Sequence, residues 1–127
     1  MILIDTSVWV GYFRKGENTE LLEKLINLDL VCTNEVVLSE LIPALQHTRQ
    51  TEVIESLNAL PCMPYTIFWE GIRALQILNL QNGINKVGLP DLMIAQHCID
   101  KNIELWSLDK HFRLMATHTT LKLIVTV

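Results

Sequence analysis

The chain has 127 residues, 50% of them hydrophobic, with 10 Lys+Arg against 14 Asp+Glu and a formal net charge of −4. That length fits one domain, here 1–127, with a core large enough to fold without staples. The acidic balance excludes a protein that holds nucleic acid by bulk charge alone. The hydrophobic share stands at the upper edge of the usual range of roughly 45–50%, which suggests a homodimer or a bound partner.

Residues 1–4 read as a buried strand, and Asp5 ends that apolar run. A short helix over 6–13 follows, with Thr6 or Ser7 as its cap. Residues 17–28 form an amphipathic helix, with apolar residues at 21, 22, 25, 26 and 28. A short strand is expected at 30–32. Thr33 or Asn34 then caps a helix to about His47, kinked by Pro43. A second amphipathic helix covers 51–60, and the Pro61 to Pro64 segment breaks it. Residues 67–80 are helical again, ending near Asn82-Gly83. Gly88-Leu89-Pro90 opens another helix, with Pro90 first and Asp91 second, running to about Asp100. A strand at 103–107, a short helix at 110–115 and a last strand at 121–125 complete the pattern.

Strands separated by helices imply an α/β layer with a mainly parallel sheet, whose ligands bind at the carboxyl ends of the strands. Four acids fall where that rule points. Asp5 and Asp109 directly follow strands, although each is also placed to cap a helix. Asp91 heads a helix face of Ile94, Ala95 and Cys98, where it also suits the helix dipole. Glu40 lies three and four residues beyond Val37 and Val36, at the border of an apolar face. Crowded carboxylates raise one another's pKa values unless a cation neutralises them. Mg²⁺ or Mn²⁺ takes such oxygen ligands and can activate water on a phosphodiester, which reconciles an acidic chain with a polyanionic substrate.

Cys32, Cys62 and Cys98 are odd in number and widely spaced, so they read as buried thiols rather than a disulfide framework or a zinc ribbon. No secretory pattern opens the chain, and no run approaches the ~20 apolar residues of a membrane span. A soluble, cytoplasmic protein without membrane contact is therefore expected.

IDTSVWV (4–10), the glutamate in VVLSEL (36–41), GLPDLMIA (88–95) and SLDKHF (107–112) resemble, in order and spacing, the motifs of PIN-domain ribonucleases, the bacterial VapC-type toxins in particular. The resemblance runs from residue 4 to residue 112. It implies a three-layer α/β/α fold with a short parallel sheet. Asp5, Glu40, Asp91 and Asp109 match the metal-binding acids, and Ser7 a hydroxyl that supports the first of them. Mg²⁺ or Mn²⁺ is the implied cofactor, and RNA cleavage leaving 5′-phosphate and 3′-hydroxyl ends the implied activity. A homodimer and a small antitoxin are the implied partners. His111 stands where the family often has a further aspartate; histidine can bind Mn²⁺ but is a poor Mg²⁺ ligand, which implies a weakly held second ion or a one-ion site, while the plain reading of His111 is an exposed helix residue. His47, His97 and His118 read as surface or packing histidines, and Arg14, Lys15, Lys86, Lys110 and Arg113 are candidates for steering RNA. The competing function is a non-catalytic PIN-like module that binds RNA or protein. A phosphotransfer receiver fits less well, since only one acid follows the first strand. An aspartyl-nucleophile phosphatase would resemble D-x-D where this chain has DTS.

Overall fold

The computed structural model describes residues 1–124. Ile2–Ile4 forms β1, buried on both faces, and takes the centre of a three-stranded sheet. Val31–Cys32 (β2) and Glu104–Trp106 (β3) flank it, both parallel to it. Register pairs Leu3 with Cys32 on one side and with Leu105 on the other. A parallel sheet needs long crossovers and cover on both faces, and the helices supply both. These are α1 (Thr6–Lys15), α2 (Thr19–Asn27), α3 (Glu35–His47), α4 (Thr51–Asn58), α5 (Trp69–Gln81), α6 (Leu89–Lys101) and α7 (Lys110–Ala116). The result is the expected three-layer α/β/α architecture. Leu3, Ile4, Leu22, Ile94, Leu105, Trp106, Phe112 and Met115 are fully enclosed at its core.

Two glycines end helices where a side chain would be strained. Gly16 closes α1 and Gly83 follows α5, at φ of 63° and 73°. The α3 cap is Asn34, whose side chain accepts the Val37 N–H at 2.9 Å. Asn34 is buried, and its amide donates to His97 Nδ1 at 2.9 Å. His97 Nε2 lies 3.1 Å from the Pro64 carbonyl, which can only accept. This fixes a neutral imidazole protonated on Nε2. One buried histidine thus ties α6 to the start of α3 and to the Pro64 segment, and burial lowers its pKa. It is a packing histidine, as expected from sequence.

Several expectations shift. Asp5, not Thr6 or Ser7, caps α1. Gly88 caps α6, so Leu89 is its first residue and Asp91 its third, one position deeper than predicted. The helix expected over 17–28 begins at Thr19, after Asn18 in the left-handed region. The helix expected from 67 begins at Trp69, whereas α3 ends at His47 as expected, with Pro43 inside it. The strands are shorter at their ends, with Leu30 exposed beside β2. The last strand reduces to a single parallel bridge between Leu105 and Leu123, and the final residue of that expected strand, Val125, lies outside the described residues. Cys32 and Cys98 are buried but Cys62 is exposed, because its segment runs along the sheet edge, bridged to Thr33.

Candidate metal centre

The carboxyl ends of β1 and β3 lie side by side, and the Asp5 N–H donates to the Trp106 carbonyl at 2.9 Å. Beyond this point both chains turn into helices. Asp5 caps α1 and Asp109 caps α7, each accepting the N–H two residues on, from Ser7 and His111. A cap uses one oxygen of a carboxylate, so capping leaves the other available.

Two serines join the two turns. Ser7 Oγ donates to Asp5 Oδ2 at 2.6 Å and Ser107 Oγ donates to the same oxygen at 2.8 Å. Ser7 Oγ accepts the Leu108 N–H and Ser107 Oγ accepts the Asp109 N–H, both at 3.0 Å. Both hydroxyl protons are committed to Asp5, so the 3.3 Å between the serine oxygens is an approach rather than a bond. Asp5 is only 4% exposed, and Oδ2 takes three donors, counting the Ser7 N–H at 3.3 Å. Charge-assisted bonds of this kind offset the cost of burying a carboxylate.

Glu40 arrives from the second turn of α3. It is exposed, and Thr6 Oγ1 donates to its Oε1 at 2.8 Å. Asp91 arrives from the first turn of α6 and is half-buried. Its pKa is pushed up to about 6, first by burial, then by the negative charges of Asp109, Asp5 and Glu40, with His111 acting in the opposite direction. The charges of the other three sequence-predicted acids thus all act on Asp91.

His111 belongs to the same cluster, which corrects the reading of it as an exposed helix residue. Its side chain is 20% exposed, with Nδ1 3.4 Å from Asp109 Oδ1 and 4.0 Å from Asp91 Oδ2. Ligand atoms of Asp91, Asp109 and His111 all lie within 4.8 Å of one another. Three acids pushing a fourth towards neutrality, with an imidazole at the rim, form a donor set that a divalent cation would relieve. The residues present therefore fit the metal that the resemblance implies.

Sequence reasoning missed Thr6 and Ser107 as partners of the acids. A signal for Ser107 existed, since SLD at 107–109 mirrors DTS at 5–7, each pairing a cap aspartate with a serine two residues away. The five basic candidates, Arg14, Lys15, Lys86, Lys110 and Arg113, are all exposed, and among the described residues none forms an ion pair.

The fold has solved counterparts. VapBC2 from Rickettsia felis, bound to a DNA fragment from its promoter, superposes with a TM-score of 0.78 at 23% identity, covering 98% of each chain. DNA-bound VapBC from Salmonella typhimurium gives 0.78 at 17% identity, covering 97% of this chain and 96% of that one. VapBC-1 from nontypeable Haemophilus influenzae gives 0.74 at 18% identity over 98% and 97%. At such identities the likeness establishes the fold alone. No curated protein matches the sequence. The PIN-domain family model matches residues 2–117, which takes in every strand and helix named above and each of the clustered acids, and the chain therefore belongs to the PIN-domain family.

Proposed function

We propose that this protein is a metal-dependent endoribonuclease and the toxin of a toxin–antitoxin pair, a single PIN domain of the VapC type. The observation that carries the nuclease reading is the clustering of Asp91, Asp109 and His111 within 4.8 Å, with the Asp91 carboxyl pushed up to about 6 by burial and by the charges of Asp109, Asp5 and Glu40. Asp5, Asp91 and Asp109 are proposed to hold Mg²⁺ or Mn²⁺, with Glu40 binding the ion or its water. The bound ion would lower the pKa of water and polarise the scissile phosphate.

The protein's own groups do the rest. Ser7 and Ser107 keep Asp5 aimed by occupying one of its oxygens. Thr6 holds one oxygen of Glu40 and leaves the other for a water molecule. Exposed Lys110 and Arg113, one and four residues beyond Asp109, would steer the RNA backbone. A hollow of about 360 Å³ beside Glu40, walled by Val36, Tyr65, Ile67, Leu89 and Met93, offers apolar surface to a nucleobase.

Two features support partners. The structural counterparts named above are toxin–antitoxin complexes. An apolar groove of about 290 Å³ between Trp9, Phe13, Ile26, Val53 and Leu60 suits a helix from a small antitoxin. Ile67, Phe68 and Trp69 are consecutive and exposed, in keeping with a homodimer. Among the described residues no helix is long and apolar enough to cross a membrane.

The test is incubation of partner-free protein with pooled cellular RNA and Mn²⁺, beside Asp91→Asn, followed by sequencing of new 5′-phosphate ends. Ends made by the wild type and not by the variant are expected. Absence of both cleavage and cation binding in folded wild type would leave a non-catalytic binding module.

A further inference from the structure

We propose that His111 Nδ1 is a direct ligand of the cation held by Asp91 and Asp109, and that this nitrogen makes the site prefer a first-row transition ion, Mn²⁺ among them, over Mg²⁺. The inference rests on reading the cluster as a metal centre, and goes beyond it by adding a residue and a selectivity.

Local structure places the imidazole. Asp109 caps α7 and accepts the His111 N–H at 2.9 Å, which puts both side chains on one side of the same turn. The ring is largely covered, and its Nδ1 stands between two carboxylates at 3.4 Å and 4.0 Å. An octahedral ion with bonds of about 2.1 Å has ligands about 3.0 Å apart at adjacent positions and about 4.2 Å apart at opposite ones. The two separations from Nδ1 lie inside that span, and all three ligand atoms lie within 4.8 Å, so side-chain adjustments of a fraction of an ångström let one ion touch all three residues.

A second observation comes from Asp5, which is nine-tenths buried. One of its oxygens is saturated by Ser7 and Ser107, while the other accepts no hydrogen bond among the described residues. Asp5 thus presents one oxygen free of hydrogen bonds, and its charge acts on Asp91 within the cluster.

The donor set then decides the metal. Mg²⁺ strongly favours oxygen and retains its waters. Imidazole suits transition ions, whose affinity for a nitrogen-containing site exceeds that of a hard, closed-shell ion of the same charge. Replacing an oxygen ligand with Nδ1 therefore weakens Mg²⁺ more than Mn²⁺.

The experiment uses metal-stripped full-length protein, with Mn²⁺ and Mg²⁺ titrated by calorimetry into wild type, His111→Ala and His111→Asp. Pulsed electron paramagnetic resonance of bound Mn²⁺ then reads directly attached nitrogen. The expected result is nitrogen coupling in wild type only, and a preference for Mn²⁺ over Mg²⁺ that falls by about tenfold in His111→Asp. Mn²⁺ bound without nitrogen coupling, at an unchanged preference, would overturn the role of His111 and leave the metal centre standing. No binding of either ion to folded wild type would overturn both. The spectrum of the wild type decides the matter even if a variant fails to fold.

Discussion

The hydroxyl of Ser107 donates to Asp5 Oδ2 at 2.8 Å and in the same position accepts the Asp109 N–H at 3.0 Å. One serine thus connects the first and last acids of the cluster. Ser107→Ala removes a bond to a buried carboxylate and leaves the Asp109 amide without its acceptor. A loss of about 2 kcal/mol is expected in urea unfolding, with Mn²⁺ affinity down by about tenfold. Wild-type values for both would show that Ser7 alone aligns Asp5.

Asp91 predicts how stability responds to pH. Its carboxyl is raised from the ordinary 3.8 to about 6 in the fold. An acid of this kind binds its proton more tightly when folded, so it favours folding below 3.8 and loses that advantage as pH rises to about 6. The metal-free protein should therefore melt at a lower temperature at pH 7 than its Asp91→Asn variant. Mn²⁺ should raise the melting temperature of wild type above pH 6 and leave the variant unmoved. Calorimetric melting at pH 5 and pH 7.5, with and without Mn²⁺, checks both statements.

His97 works with the opposite sign. Burial lowers its pKa from 6.5, so the unfolded chain takes up a proton there before the folded one does. Stability from this group is complete above pH 6.5 and declines as pH falls below it. The Asp91 and His97 effects oppose each other over part of this range, so each is read in the other's variant. In Asp91→Asn, acid should destabilise; in His97→Gln that fall should disappear. Asn34→Ala removes both the α3 cap and the donor to His97, and about 2 kcal/mol of destabilisation is expected by urea unfolding.

The thiols give a simple count. Cys62 is exposed, while Cys32 and Cys98 are buried with their pKa values raised, Cys32 to about 11. A disulfide reagent added to native protein should modify Cys62 alone, and slowly, because burial and the nearby Glu35 raise its pKa against a hydrogen bond with Thr33. Rapid reaction of all three would mean that the sheet opens around Cys32.

The readable part of the site was the part marked by a change of pattern. Asp5 interrupts an apolar strand, and Asp109 follows another, so a rule about strand ends finds both. Glu40 and Asp91 sit inside helices whose faces give only weak hints, and it was their order and spacing among the motifs that drew them in. Ser107 and Thr6 stayed hidden because a hydroxyl beside an acid is common, and only tertiary packing decides whether it reaches across 102 positions or 34. His111 was misplaced because a helix of seven residues has no reliable inner face in sequence; its position comes from the cap at Asp109. The short strands were located correctly but overextended at their ends, where apolar residues such as Leu30 continue past the last ladder bond.

The order β2-β1-β3 places the first strand of the chain between two that come later. A polypeptide still emerging from the ribosome therefore carries Asp5, Glu40 and Asp91 long before β3 can dock beside β1. Until Ser107 arrives, Asp5 lacks one of its two serines, and until Asp109 arrives the ring of acids is open. Contacts this distant in sequence form late in folding. A synthesis interrupted anywhere before about residue 109 therefore releases a fragment whose cluster of acids is incomplete.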